Sequence, residues 1–377
     1  MLFDSFERTF SGYKKRNQSA YEFLNNSSWK ISDLSRITLD KFAQNSNVDN
    51  EFLKVFKSRS NKQHYAAVFE LMVYAALTNS KFTLQKHPIT QTGKRPDFLA
   101  GSEDGRNFFL ECTLSGNSFE NEDEKNRKEA VEEIIDNMDY FPYWINIEFS
   151  TSSKKSISKK RLVNFIRQIQ SICDNYTDVQ LLNVYFEFED NDWLLEISLF
   201  RKTDPNIKRS LGIISGGAKM INKSKSLLTA LNDKRTTKYG IQNQPYVIGI
   251  SVNDISISES DFTEMLFGQY CKEVIDLNQL NNGFWISNGN PINSSVSAIV
   301  FFKNFDLYVL DSSEITVWHN PFAKNILDKH MLPFEEFYFE KVENTLIKNK
   351  IHKQVDIFKM LGINKLEYCG MNKKDAT

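Results

Sequence analysis

Cysteine is scarce in this chain: four residues in 377, at Cys112, Cys173, Cys271 and Cys369, all far apart. No CxxC pair and no dense framework exists, which excludes a disulfide scaffold and a thiolate zinc centre. An excess of charge is missing too. With 47 basic against 48 acidic residues, a polybasic coat is excluded, and any contact with nucleic acid must be a local patch. Long apolar runs are also absent. The longest, "AAVFELMVYAAL", carries Glu70 and falls short of a membrane span. The N-terminal "MLFDSFERTFSGYKK" mixes acids and bases among its apolar residues, unlike a secretory leader. The expectation is a cytoplasmic protein without a membrane segment. Several chemistries lack their signatures. The five histidines show no ligand spacing, no GxSxG stands out, and "SGGAK" lacks both the spacing and the ending of a P-loop.

What is present is enough for a sizeable core: 41% of the residues are hydrophobic. The length suits two or three domains, or one elaborated domain. Residues 1–60 read as a helical segment of mixed polarity. "NKQHYAAVFELMVYAALTNS" reads as a strong helix, free of Gly and Pro. "KFTLQKH", "RPDFLA" and "RNFFLECTLS" read as strands, the last two joined by the turn "GSEDG". A charged amphipathic helix follows in "EDEKNRKEAVEEIIDNM". Then come a strand in "YWINIEFS", a helix in "RLVNFIRQIQSIC", and an antiparallel pair "LLNVYFEFED" and "DWLLEISLF". The glycine-containing loop "GIISGGAKM" leads to the helix "INKSKSLLTALNDKRTTKYG", with Gly240 as its cap. "PYVIGISV" reads as a strand buried on both faces. "VSAIVFF" and "DLYVL" read as further strands, "WHNPFA" as a turn, and the last forty or so residues as helix then tail. The predicted class is α/β: a central mixed sheet flanked by helices, with an N-terminal helical segment and antiparallel and helical insertions. The expected division is a core over 61–310, interrupted at about 117–210, and an extension over 311–377.

The hairpin places two acids in apolar strands. Centred on Asp104, its paired residue numbers sum to 208, so Leu99 lies opposite Phe109 and Asp97 opposite Glu111. Opposed side chains on one face have Cβ atoms roughly 5 Å apart. Residues of like parity share that face, so Asp97, Glu111 and Thr113 point the same way. Two half-buried carboxylates repel each other unless a cation lies between them. Carboxylate oxygens suit a hard ion such as Mg²⁺; a nearby arginine, Arg95 or Arg106, is the alternative. Glu70 lies on an apolar helix with Ala66, Ala67, Val73 and Tyr74 as neighbours, so it is a third candidate ligand. Its alternative is a bond to Tyr74 or His64.

A helix with a glutamate, a strand with "PD" and a strand with "ExK" resemble the PD-(D/E)XK nuclease superfamily. The matching residues here are Glu70, Pro96–Asp97 and Glu111–Cys112–Thr113, within residues 60–115. The resemblance implies a restriction endonuclease-like core and hydrolysis of phosphodiesters assisted by Mg²⁺ or Mn²⁺. It implies Asp97 and Glu111 as metal ligands, with the Cys112 carbonyl, and with Glu70 binding directly, through water or at a second site. Double-stranded DNA is the implied substrate, in a restriction or phage-defence setting. Cutting both strands takes two active sites, which a homodimer would supply, although no coiled-coil seam is present.

Thr113 departs from the pattern. The family lysine orients water and stabilises negative charge, whereas threonine carries no charge. Either another lysine reaches the same place, or the site is inactive and the protein binds nucleic acid or a protein partner. Lys234 is the first choice for a relocated lysine and Lys238 the second, four apart on one helix. Lys94, Lys125, Lys128, Lys223 and Lys225 are further candidates. The basic stretch "SSKKSISKKR" is either a phosphate contact or a solvated loop. Hydrolysis of RNA or of a small molecule on the same scaffold is a third reading.

Overall fold

The computed structural model describes residues 1–12, 14–15, 18–115, 122–138, 141–204, 207, 209–212, 223–235, 240, 243–253, 257–268, 273–277 and 282–372. The chain divides into two compact units, one of Met1–Tyr13, Ser19–Glu120 and Asn222–Thr377, the other of Lys14–Gln18 and Asn121–Ile221.

The first unit begins with helices Ala20–Asn26, Lys30–Ser46, Asn50–Phe56 and Asn61–Asn79. Ser19, Asp49 and Ser60 cap three of them by accepting an N–H of the first turn. Strands β1 (Thr83–Lys86), β2 (Phe98–Gly101) and β3 (Asn107–Ser115) follow. The second unit carries β4 (Tyr143–Thr151), β5 (Phe186–Asp190) and β6 (Trp193–Arg201). The chain then returns to the first unit with helix Lys223–Asp233, β7 (Tyr246–Val252), helix Glu259–Phe267 and β8 (Val274–Asp276). It finishes with β9 (Ile286–Ser287), β10 (Asn290–Pro291), β11 (Ala298–Lys303), β12 (Glu314–His319), β13 (Glu335–Val342), β14 (Thr345–Ile351) and helices Ile357–Leu361 and Lys365–Asn372.

The predicted class holds at this level: an α/β unit around a nine-stranded mixed sheet, ordered β1-β2-β3-β7-β11-β12-β13-β14-β8. The pairs β3/β7, β7/β11 and β12/β13 are parallel, and the other neighbours are antiparallel. Strand β7, "YVIGISV", is buried at every residue because it has parallel partners on both edges and helices on both faces. Its side chains alternate between two cores. Val247 joins Phe69, Met72, Val73 and Leu110 under the Asn61–Asn79 helix. Tyr246, Ile248, Ile250 and Val252 join Leu227, Leu231 and Phe262 on the other face. The second unit is a three-stranded antiparallel sheet, β4-β6-β5, with helices Glu122–Asp136 and Lys159–Cys173 packed in its core. Among the described residues no helix is long and apolar enough to cross a membrane.

Three expected elements differ. The helix expected to run to a cap at Gly240 ends at Asp233, so Lys234 lies just past it. "DLYVL" is a turn ending in the 3-10 helix Leu310–Ser312, not a strand. Asp306 explains it: its side chain accepts the Tyr308 N–H and its carbonyl the Val309 N–H, which curls the backbone. The segment expected to be helix then tail contains the hairpin β13–β14 before its two short helices. Phe337, Phe339 and Leu346 go into the core from alternating positions, and Glu343 turns the chain at φ 50°.

Candidate functional site

The hairpin has the expected register: Phe98 pairs with Leu110, Leu99 with Phe109, Ala100 with Phe108 and Gly101 with Asn107. The ladder stops one residue short of Asp97 and Glu111. There the side chains replace it. Asp97 donates its N–H to Oε2 of Glu111 at 3.3 Å, and its Oδ2 accepts the Cys112 N–H at 2.6 Å. The Asp97 carbonyl accepts the His87 N–H at 2.9 Å. Asp97 is thus fixed between β1 and β3 by three hydrogen bonds.

Glu111 lies in the middle of β3 and is only 2% exposed. Its neighbours Leu110 and Cys112 face the core under the Asn61–Asn79 helix, and Phe109 packs in the opposite core. Alternation therefore points Glu111 to the face covered by helix Lys223–Asp233. From the residue just past that helix, Lys234 donates to Oε1 of Glu111 at 2.5 Å. Lys234 is the first-choice replacement lysine from the sequence, and its ammonium lies on the carboxylate that stands two residues before Thr113. Thr113 is half-buried on the same strand, opposite Ile250 of β7. Arg106 binds Asp104 and Asp328 instead of the two site acids.

Glu70 enters from the helix on the other face. Its Oε1 is 3.9 Å from Nε2 of His87. Neither of its expected partners takes it: the Tyr74 hydroxyl donates to the Asn45 carbonyl, and His64 is buried against the Phe56 carbonyl. Burial, reinforced by Glu111 and opposed by Lys86 and Lys234, raises the Glu70 pKa to about 7. Burial, together with the charges of Glu111 and Glu70, also raises Asp97 well above the usual carboxylate range. Burial works against the Lys234 ammonium, but Glu111 outweighs it and the net shift is upward, so this amine stays charged at neutral pH. The three acids and one lysine are therefore one electrostatic unit, acidic in excess when all are ionised.

The oxygen donors here, three carboxylate side chains and the Cys112 carbonyl, have the chemistry of a hard divalent ion site. Burial chiefly, and the mutual repulsion of the acids, raise Glu70 and Asp97, and a bound cation would offset both. As the side chains stand, no group of three or more His, Cys, Asp or Glu among the described residues is arranged to hold a metal ion. Lys234 lies on Oε1 of Glu111, and Asp97 Oδ2 faces the Cys112 N–H.

Of the other lysine candidates, Lys94 is exposed and Lys128 pairs with Glu124 at 2.6 Å in the second unit. Lys238 and the side chains of Lys125, Lys223 and Lys225 lie outside the described residues, as does residue range 213–220 of the glycine-containing loop. In "SSKKSISKKR", Lys155 pairs with Asp192 and Arg161 with the buried Asp190.

Two residues at the site were not singled out from the sequence. His87 is left-handed at φ 46°, holds Asp97 through its backbone and faces Glu70 through its ring. With Glu70, Lys86, Asp49 and Tyr74 it lines a cavity of about 40 Å³, room for one water. Tyr246, the first residue of β7, donates its hydroxyl to the Lys234 carbonyl at 2.8 Å. Neither contact has a local signal, because each joins residues of different elements. Compared with known proteins, the chain matches no family model, no curated protein and no solved structure.

Proposed function

We propose that this chain is a metal-dependent nuclease of the PD-(D/E)XK kind that hydrolyses phosphodiester bonds of DNA, with its lysine supplied by a helix end instead of strand β3. The observation that carries the reading is the 2.5 Å contact of Lys234 with Glu111, beside Asp97 and in the electrostatic field of Glu70. Asp97, Glu111 and the Cys112 carbonyl would hold Mg²⁺ or Mn²⁺, with Glu70 completing or extending the set. When bound, the ion supplies positive charge at the scissile phosphate and makes water a better nucleophile at neutral pH. Lys234 keeps its proton and presents a donor to the attacking water and to charge that develops on the phosphate. Thr113 offers only a neutral hydroxyl there. Restriction or defence against phage is the setting proposed with this activity, and a pair of chains is the proposed means of cutting both strands.

The test is cleavage of plasmid DNA, linear DNA and RNA with Mg²⁺, Mn²⁺ or chelator, beside Asp97→Ala, Glu111→Ala and Lys234→Ala. Metal-dependent cleavage lost in all three variants supports the reading. Cleavage that survives in Asp97→Ala and Glu111→Ala removes it. One observation favours a second reading, a nuclease-like module that binds without cutting: the described side chains form no three-ligand group as they stand. Its signature is DNA binding by the wild-type chain that no divalent ion converts into cleavage.

A further inference from the structure

We infer that Tyr246 is the positioning residue for Lys234: its hydroxyl fixes the backbone from which the ammonium reaches Glu111. This rests on the nuclease reading for its catalytic consequence, but the contact itself does not.

A lysine two residues after Glu111 in β3 would be held by the sheet. Its backbone would be locked against β7, where Thr113 pairs with Ile250, and its position would follow from the strand. Lys234 has no such frame. It follows the last residue of helix Lys223–Asp233, where its N–H bonds to the Leu231 carbonyl at 3.1 Å in a closing turn. Carbonyls in the last turn of a helix lack the intrahelical partner that interior carbonyls have. The one belonging to Lys234 accepts the Tyr246 hydroxyl at 2.8 Å.

Tyr246 suits this role because it is itself immobile. Its side chain is fully buried among Leu227, Leu231 and Ile248. Its N–H donates to Ser297 Oγ at 3.0 Å, and its carbonyl accepts the Ser297 N–H at 2.7 Å. The Ser297 hydroxyl in turn donates to the Asn325 carbonyl at 2.5 Å. Strand β3 pairs Phe109 with Tyr246, two residues before Glu111 pairs with Ile248. One rigid ladder therefore carries both the acid that receives the lysine and the phenol that anchors it. The sheet fixes the lysine after all, through a side chain instead of through its own backbone.

The test compares wild type with Tyr246→Phe, which removes one oxygen and keeps the ring. The first readout needs neither DNA nor metal. The ¹³Cε signal of Lys234, assigned by its loss in Lys234→Met, shifts when Glu111 is changed to Gln. The expectation is that this Glu111-dependent shift is at least halved in the Tyr246→Phe background. An undiminished shift overturns the proposal and leaves the nuclease reading standing. The second readout is cleavage. Tyr246→Phe is expected to lower kcat by 10-fold or more with KM within twofold, and to change cleavage less than twofold when Lys234 is already Met. A further loss of equal size in the Lys234→Met background overturns the proposal, since Tyr246 would then act on something else. A wild-type chain that cuts nothing removes the nuclease reading, and the NMR comparison still decides the positioning role. Should Tyr246→Phe fail to fold, Ser297→Ala keeps the phenol and loosens its backbone. A smaller loss of the same signature is expected there, and an unchanged one overturns the proposal.

Discussion

Lys234 donates to Oε1 of Glu111 at 2.5 Å, joining a helix end to a strand residue 123 positions earlier in the chain. Glu111 is buried, so the ammonium is its principal counter-charge as the side chains stand. That pairing separates two roles that the family pattern places on a single strand.

Removing the ammonium is therefore expected to cost far more than removing the threonine. Lys234→Ala should lower the cleavage rate by about 100- to 1000-fold, the loss typical of one preorganised charge stabiliser. Thr113→Ala should cost less than about 10-fold. The first variant should also lose about 2 kcal/mol of stability, because it leaves Glu111 buried with only the Asp97 N–H as donor. Single-turnover cleavage and urea unfolding check both. Full activity in Lys234→Ala would remove the assignment.

Asp97 stands in a repulsive field, so its charge opposes folding. Asp97→Asn keeps an oxygen for the Cys112 N–H and removes the repulsion with Glu111 and Glu70. At pH 8 without metal, the variant should be at least as stable as wild type, while cleavage falls by more than about 1000-fold. A loss of stability above about 2 kcal/mol would contradict this account of the site.

The raised Glu70 pKa sets a pH dependence of known sign. A carboxyl that titrates at about 7 when folded, against 4.5 ordinarily, holds more protons folded than unfolded between those values. Its contribution to metal-free stability is full below pH 4.5 and is lost as the pH rises through about 7. Burial lowers His64 to about 4, which acts in the opposite sense, with stability lost as the pH falls from 6.5. The Glu70 effect should therefore be read as the difference between wild type and Glu70→Gln, which narrows or reverses as the pH rises from 5 to 8 in thermal melts. Mn²⁺ affinity should rise over the same interval, because binding must displace the protons on Glu70 and Asp97. A flat affinity from pH 6 to 8 would count against Glu70 as a ligand.

Away from the site, Glu336 is 1% exposed and joins three donors. It binds Lys353 at 2.6 Å, His319 at 2.8 Å and the His330 N–H at 2.9 and 3.1 Å. Glu336→Ala removes the carboxylate from a half-buried ammonium, which keeps the Leu332 carbonyl, and from the buried His319 imidazole, and should cost about 3 kcal/mol in urea unfolding at pH 7. A cost below about 1 kcal/mol would show that water replaces the carboxylate.

Much of the hairpin was legible because its information is local. The turn "GSEDG" fixes the register, and the register brings Asp97 and Glu111 together. Lys234 also stands out in the sequence as a lysine in the segment leading into the buried strand β7, although the helix expected to carry it ends one residue before it. What escaped was long-range or locally ambiguous. His87 meets Asp97 and Glu70 only through the fold. "DLYVL" has strand-like residues but begins with an aspartate that captures the backbone ahead of it. In "EEFYFEKV" the strand signal is weak, because the buried Glu336 and the exposed end Glu340–Val342 break the alternation.

The order of the chain gives the site a history. Asp97 and Glu111 are synthesised before the compact unit of residues 121–221, and Lys234 after it. Until that later segment emerges, helix Lys223–Asp233 and strand β7, which bury Glu111, are missing as well, so water solvates both carboxylates. The counter-charge is thus made with the elements that take Glu111 out of water, so desolvation and neutralisation come from one stretch of chain. A chain that stops before Lys234 lacks the cation but also lacks β7, so its acids stay solvated.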